Sequence, residues 1–332
     1  MARTLMLVPA GKAAGLFVVS LGLVKALNDN GVKAVVFKPL DVGPNCQADC
    51  PQNYSLTFME ALKQLSSGKQ EELMAAIVAN YDRLVKDTQA EVVVIEGVVT
   101  SMFDQHTMNA AIRQALNADI CMASMGMCQR AMALVKVALG AFGQAAQERF
   151  IGGVLFNYDA PFDASEIKRV QLSGPKDPNG NPGCSVKDGQ MGSSEGGASC
   201  SCTPFAMIPF ASEHYALRAG DVAKLLDTSI SGDESVRVSG IAFDAALATE
   251  NDILLTSSVP PSTKAPLVIL CDGATGSAGK ATIYSKFSVL SVVEALTVLP
   301  VVLFNDDKER AEKIAAATAP LFSNALLDFL KS

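Results

Sequence analysis

The segment at residues 4–27 constrains the fold of this chain more than any other stretch of the sequence. An apolar run at Leu5–Val8 ends at Pro9, small residues follow as far as Gly15, and from Val18 apolar residues return at helical spacing. This order predicts a strand, a tight loop and a helix. In an α/β sheet, such a turn directs backbone N–H groups and a helix amino terminus towards the carboxyl end of the strand, where a phosphate would fit.

The loop differs from the phosphate-binding consensus G-x-x-x-x-G-K-S/T at the positions that carry its chemistry. Aligned on Gly15, the chain has Leu16 in place of the lysine that reaches the terminal phosphates and Phe17 in place of the hydroxyl that holds Mg²⁺. A leucine and a phenylalanine can neither neutralise a phosphate nor bind a metal ion. We therefore expect no efficient nucleotide hydrolysis.

Gly11 and Lys12 belong to the same degenerate loop. Lys12 has two interpretations: it turns towards a phosphate from the other side of the loop, or it is a solvated loop charge. We predict no catalytic residue in this chain, no cofactor, and at most weak binding of a nucleotide or metabolite.

The rest of the chain predicts an α/β fold. Four consecutive branched apolar residues within Glu91–Gly97 are typical of a strand covered on both faces in the middle of a parallel sheet. Further strands are predicted at 32–37, 118–123, 150–156 and 205–209, and helices at 55–65, 70–88, 107–116 and 129–139. We predict a parallel sheet of the P-loop NTPase type, followed from Glu234 by a second, smaller α/β domain.

Three polar residues lie at the carboxyl ends of predicted strands of the first sheet or directly after them, where ligands bind in open α/β sheets. Lys38 is either a cation that faces a ligand or a capping charge before a proline turn. Glu96 occupies the place of the acid that orients Mg²⁺ in nucleotide-binding proteins, or it accepts hydrogen bonds from loop N–H groups. Asn157 either contacts a purine base or is a turn residue.

A glycine-rich loop at residues 271–280 provides two further candidate ligand-binding residues, Asp272 and Thr275. The alternative is a generic turn between a strand and a helix.

The eight cysteines do not predict a metal site. Cys46 and Cys50 lie in a polar loop, and the two histidines, His106 and His214, do not flank the cysteine-containing loops at metal-ligand spacing. These loop cysteines are reduced thiols or form a disulfide such as Cys46–Cys50, whereas the apolar contexts of Cys121, Cys128 and Cys271 predict buried thiols.

Composition excludes several partners. The net charge is −7 without a Lys/Arg cluster, which argues against nucleic acid and anionic membranes. No apolar run approaches the roughly 18 residues of a membrane span. Because the first strand begins near residue 4, we expect no signal peptide and a cytoplasmic location, or an organelle interior if a targeting segment has been removed.

Residues 173–204 are rich in Gly, Ser and Pro and predict a flexible surface insertion. The predicted first domain therefore comprises residues 1–172 and 205–230, and the second comprises residues 234–332.

Several stretches resemble the amino-terminal half of the long-form bacterial phosphate acetyltransferase: residues 5–27, 31–40, 73–99, 208–227 and 236–243. The resemblance implies a dethiobiotin-synthetase-like, P-loop-derived domain followed by a DRTGG-type domain. It also implies that the Gly15-Leu16 pair is inherited, because family members carry Gly-Leu at this position.

The chain departs from this family at several points. Phe17 replaces a small or hydroxyl residue that is common in the family, and no DRTGG string is present. We also expect the insertion at 173–204 to be specific to this chain. Because the sequence stops at Ser332, we expect the carboxyl-terminal transferase domain to be absent. These departures put ligand binding at the family's regulatory site in doubt.

The leading hypothesis is a non-catalytic regulatory or scaffolding protein that associates with a protein partner or forms a homo-oligomer. Three alternatives remain: a fragment of a complete phosphate acetyltransferase, a structural subunit of a larger complex, and an ATP-dependent synthetase of the dethiobiotin-synthetase type.

Overall fold

The computed structural model describes residues 2–10, 15–41, 54–99, 103–125, 128–143, 148–158, 185–187, 190–192, 204–209, 217–298 and 308–332. The chain divides into two compact units. Unit 1 comprises residues 1–210 and 303–332, and unit 2 comprises residues 211–302.

Unit 1 alternates strands and helices. In chain order its first elements are β1 (Arg3–Pro9), α1 (Leu16–Asp29), β2 (Ala34–Phe37), β3 (Leu40–Asp41), β4 (Leu56–Thr57), α2 (Phe58–Ser66), α3 (Gln70–Thr88), β5 (Val92–Glu96), α4 (Gln105–Ala115), β6 (Asp119–Met125), α5 (Cys128–Ala141), β7 (Phe150–Tyr158), β8 (Ser185–Lys187), β9 (Gln190–Gly192) and β10 (Ala206–Pro209). Six of the strands form one sheet in the order β10-β7-β6-β1-β5-β2, and every neighbouring pair is parallel. The predicted α/β fold class with a parallel sheet is confirmed.

The centre of this sheet is buried on both faces, as the branched apolar run of β5 predicts. Met6, Val8, Val93 and Ile95 point to one face and share a core cluster with apolar residues of α3 and α4. The predicted helix at 70–88 matches α3, whose buried positions Leu73, Ile77 and Leu84 lie at helical spacing.

The predicted insertion at 173–204 lies mostly outside the described residues. Within it, β8 and β9 pair as a short antiparallel ribbon.

Unit 2 contains β11 (Leu217–Arg218), α6 (Ala219–Leu225), β12 (Ile230–Gly232), β13 (Arg237–Val238), β14 (Gly240–Ala242), β15 (Asp252–Thr256), β16 (Leu267–Leu270), β17 (Ala281–Tyr284) and α7 (Val289–Val298). Its main sheet has the order β12-β17-β16-β15-β14, in which the last four strands are parallel and β12 is antiparallel to β17. The apolar segment at 297–304 favours a final strand, but its first two residues belong to α7 and the rest lies outside the described residues.

The chain ends in α8 (Lys308–Thr318), a 3₁₀ turn (Ala319–Leu321) and α9 (Asn324–Lys331). We expected these helices in the second domain, but they pack in unit 1. A Cβ placed on Gly22 of α1 would lie 2.8 Å from the Thr318 Cβ and 3.0 Å from the Phe322 ring. The guanidinium of Arg3 lies 3.8 Å from the ring centroid of Phe329. The division into units therefore differs from the predicted one at both boundaries of the second domain.

Two of the predicted buried thiols are described, and both are free and buried. Burial raises the pKa of Cys121 to about 12, so this thiol stays neutral. The Cys128 side chain lies outside the described residues. None of the helices described here is both long and apolar enough to cross a membrane.

Candidate functional site

The candidate site lies where α1 begins, beside the carboxyl ends of β2 and β5. Gly15 precedes α1 in the left-handed conformation, with φ 59° and ψ 35°, which glycine adopts without strain. Its carbonyl accepts the backbone N–H groups of Val18 and Val19 at 3.0 and 3.1 Å. The helix then starts at Leu16, which is buried, and Phe17, which is partly buried. Gly11 and Lys12 lie outside the described residues.

Three polar side chains meet beneath the start of this helix, and we call them the Ser20–Lys38–Glu96 cluster. The Lys38 ammonium lies 3.6 Å from Glu96 Oε2, and both side chains are about nine-tenths buried, with exposures of 7% and 11%. The Ser20 hydroxyl contacts Glu96 Oε1 as a hydrogen-bond donor and lies 3.0 Å from the Phe17 carbonyl oxygen. Glu96 therefore faces a cation and a hydroxyl from its own chain.

The register of the sheet explains why Lys38 and Glu96 meet. β2 and β5 are parallel neighbours, and Phe37 is paired with Ile95. The next residues, Lys38 after Phe37 and Glu96 after Ile95, therefore lie side by side at the carboxyl edge of the sheet. α1 adds Ser20, which is one helical turn beyond Leu16.

The segment after β5 is fixed by a buried asparagine of α4. Asn109 Oδ1 accepts the Val98 N–H at 2.7 Å, and Asn109 Nδ2 donates to the Val98 carbonyl at 2.9 Å. Gly97 passes close to β1, because a Cβ there would lie 2.7 Å from the Leu7 carbonyl oxygen. These contacts hold the chain immediately after Glu96 in one position.

We expect Asn109→Ala to lower the free energy of unfolding by about 2–3 kcal/mol, because it removes two hydrogen bonds and leaves the Val98 N–H and C=O buried without their partner. Urea unfolding measures the change. Gln114→Ala, at an exposed position of the same helix, is the control and should change stability by less than about 0.5 kcal/mol. Equal effects of the two substitutions would contradict the role of Asn109.

The other predicted residues lie elsewhere. Asn157 is inside β7 and not after it, and its side chain lies outside the described residues. Asp272 and Thr275 are exposed residues of unit 2. Asp272 has a positive φ of 56°, and its N–H donates to the Phe287 carbonyl at 3.0 Å. Their predicted role in ligand binding stays a prediction.

Sequence reasoning missed Ser20 and Asn109. Each is a polar residue on a helix face that is otherwise apolar, and this is the signal that would have found them. Within the described ranges, no group of three or more His, Cys, Asp and Glu side chains could hold a metal ion.

A family model described as "AAA domain" matches residues 3–172, slightly more than half of the 332 residues. The chain belongs to this AAA domain family. The matched residues of the chain include the whole Ser20–Lys38–Glu96 cluster and Asn109.

The chain is also similar to proteins named phosphate acetyltransferase. The Escherichia coli protein is 30% identical over 268 residues, which cover 74% of this chain and 37% of that protein. The Salmonella typhimurium protein is 33% identical over 52% of this chain and 26% of that protein. The Haemophilus influenzae protein is 26% identical over 74% and 36%, respectively.

These matches confirm the predicted similarity to phosphate acetyltransferase. The chain spans about a third of the length of these relatives. The DRTGG type of the second domain and the absence of a transferase domain stay predictions.

Proposed function

We propose that this chain is a non-catalytic regulatory or scaffolding protein related to the amino-terminal region of phosphate acetyltransferase. It acts by associating with a protein partner or with another copy of itself, and it binds nucleotides or metabolites weakly at most. The observation that carries the proposal is the Ser20–Lys38–Glu96 cluster, in which the Glu96 carboxylate accepts a hydrogen bond from Ser20 and lies beside the Lys38 ammonium.

A working nucleotide site in this kind of fold needs a lysine on the terminal phosphates and oxygen ligands for Mg²⁺. Leu16 and Phe17, at the start of α1, provide neither group. The Glu96 carboxylate and the Ser20 hydroxyl are bonded to each other, and Lys38 lies beside the same carboxylate. A Mg²⁺-bound triphosphate would therefore have to compete with contacts that these buried groups already make within the chain.

The first test is a thermal melt and a calorimetric titration of the purified chain with Mg-ATP. We expect no heat of binding and no change in Tm. Binding would be detected in the melt, because a ligand at about 100 times its Kd stabilises the fold by about 2.7 kcal/mol. ATP without Mg²⁺ is the control that separates metal-dependent binding from simple anion binding. A Mg²⁺-dependent rise in Tm, or slow release of ADP, would overturn the proposal and favour the synthetase alternative.

A second candidate function is that of a fragment of a complete phosphate acetyltransferase, which would convert acetyl-CoA and phosphate to acetyl phosphate and CoA. The observation that favours it is the coverage of only about a third of the relatives' length. Mass spectrometry of the native protein distinguishes the two. Peptides that continue past Ser332 would support the fragment, whereas an intact mass near 34.8 kDa would support the regulatory protein.

A further inference from the structure

A group of charged side chains lies at the amino edge of the six-stranded sheet, at the opposite end of the strands from the candidate site. Asp119 begins β6, which lies between β7 and β1. Its Oδ1 is 3.2 Å from Nη1 of Arg149, the residue directly before β7, and its Oδ2 is 3.7 Å from Nη2 of Arg3 on β1. One carboxylate is therefore flanked by two guanidinium groups.

A third guanidinium, that of Arg113 on α4, belongs to the same group. Its Nε donates to the carbonyl of Ala118, the residue before Asp119, at 3.2 Å. Burial and then the nearby Arg149 guanidinium lower the pKa of Arg113, while Asp119 acts in the opposite direction. No acceptor in the described part of the chain contacts its two terminal nitrogens. We call Arg3, Arg113, Arg149 and Asp119 the arginine cluster.

The arginine cluster carries an excess of positive charge. Three guanidinium groups surround one carboxylate, which leaves a local charge of +2. The Asp119 side chain is 14% exposed, whereas those of Arg3 and Arg149 are 27% and 41% exposed, so solvent reaches the arginines more than the carboxylate. Guanidinium groups bind phosphate oxygens through pairs of parallel N–H donors. The cluster therefore presents to solvent the groups that recognise a phosphate.

Other contacts hold two of these guanidinium groups in place. Nη2 of Arg149 donates to Asn117 Oδ1 at 2.8 Å. The Arg3 guanidinium lies 3.8 Å from the ring centroid of Phe329, and its Nη1 donates to Ser332 Oγ at 3.0 Å. Donors that are already positioned lose less side-chain freedom when a ligand binds, so this arrangement favours binding.

We propose that the arginine cluster binds a phosphate group, either as free phosphate or as part of a small phosphorylated molecule. A phosphate dianion balances the local charge of +2. This inference rests on the weak metabolite binding in the proposed function, and it names the ligand class and the residues. The two have separate tests: Mg²⁺-dependent binding of ATP concerns the carboxyl edge of the sheet, whereas binding of inorganic phosphate without a metal concerns the arginine cluster.

A calorimetric titration of the full chain with inorganic phosphate tests the site, at low and constant ionic strength and at about pH 8, where a phosphate group carries close to two negative charges. We expect binding without Mg²⁺. Arg113→Gln and Arg149→Gln should each raise the Kd about tenfold, because each removes a charged hydrogen-bond donor.

Arg83→Gln is the matched control for these variants. Arg83 is an exposed residue of α3 whose guanidinium lies 5.1 Å from the Tyr54 ring centroid, so its substitution makes the same change in net charge without altering the arginine cluster. It should leave the Kd for phosphate unchanged. A wild-type chain that binds no phosphate, or cluster variants that behave like Arg83→Gln, would overturn the proposal.

Asp119→Asn distinguishes a binding site from a purely structural ion-pair network. It removes the single negative charge of the cluster, so it should lower the Kd for phosphate about threefold or more. If the arginines served only to hold Asp119, the variant would lose stability and gain no affinity. Thermal melts by circular dichroism establish that each variant is folded, and a folded Asp119→Asn chain without tighter binding would contradict the proposal.

Two further ligands define the chemistry of the site. Acetate, with a single negative charge, should bind at least about tenfold more weakly than phosphate. Equal affinities for acetate and phosphate would overturn the assignment of a dianion. Phenyl phosphate separates the two sources of the phosphate group: an affinity at least equal to that of phosphate supports a phosphorylated molecule, and exclusion of the ester supports free phosphate.

Discussion

Glu96→Gln is expected to lower the free energy of unfolding by about 3–5 kcal/mol, because it removes the carboxylate from a buried ammonium. Lys38 and Glu96 are both close to nine-tenths buried, so water does not replace the lost interaction. The substitution keeps the size of the side chain and retains an acceptor for Ser20. Chemical denaturation of the purified chain measures the effect.

An exposed ion pair provides the matched control. Lys69 and Glu72 lie at 2.9 Å, closer than Lys38 and Glu96 at 3.6 Å, but their side chains are more than half exposed. Glu72→Gln should therefore cost less than about 1 kcal/mol. If Glu72→Gln lowered the free energy of unfolding as much as Glu96→Gln does, burial would not explain the effect of Glu96.

A double-mutant cycle isolates the pair itself. Lys38→Met alone should destabilise the chain, and the combination with Glu96→Gln should be less harmful than the sum of the two single changes. A coupling energy below about 0.5 kcal/mol would show that Lys38 and Glu96 act independently.

Gly22→Val is expected to destabilise the chain by about 3 kcal/mol, because α1 and the carboxyl-terminal helices approach too closely for a side chain. A Cβ at this position would lie 2.8 Å from the Thr318 Cβ and 3.0 Å from the Phe322 ring. Hydrogen exchange should then show that amides of α8 lose protection before those of β5, because the contact between α1 and α8 is the one that is disturbed.

Gly140→Ala is the control for this prediction. Gly140 lies within α5, and a Cβ there would meet no atom within 4 Å. Alanine should stabilise the helix by about 0.5–1 kcal/mol. A Gly22→Val variant that unfolds at the wild-type denaturant concentration would mean that the carboxyl-terminal helices do not pack on α1 in solution.

The amino-acid pattern was sufficient for most of the first sheet. The branched run at 91–97 predicted a strand buried on both faces, and the helical spacing at 70–88 predicted α3, because both patterns depend on residues close together in the chain. The alternation of such segments then predicted the parallel sheet that the structure confirms.

The candidate site was predicted only in part. Lys38 and Glu96 were each identified from their positions at the carboxyl ends of apolar strands, but their contact depends on β2 and β5 being neighbours in register. Ser20 joins them because α1 lies over the same edge. Neither strand neighbours nor helix placement can be read from local periodicity.

The sequence by itself determined the α/β class, the strand–loop–helix unit at residues 4–27 and the loss of the lysine and hydroxyl at positions 16 and 17, since all three are properties of local pattern. Tertiary structure alone decided that the carboxyl-terminal helices join unit 1 and that Glu96, the acid at the end of β5, contacts Ser20 and Lys38 of the same chain. Both outcomes depend on contacts between residues distant in the sequence, such as Gly22 with Thr318. The packing of two such segments depends on the shapes of both surfaces, so it cannot be predicted from the residue pattern of either segment alone.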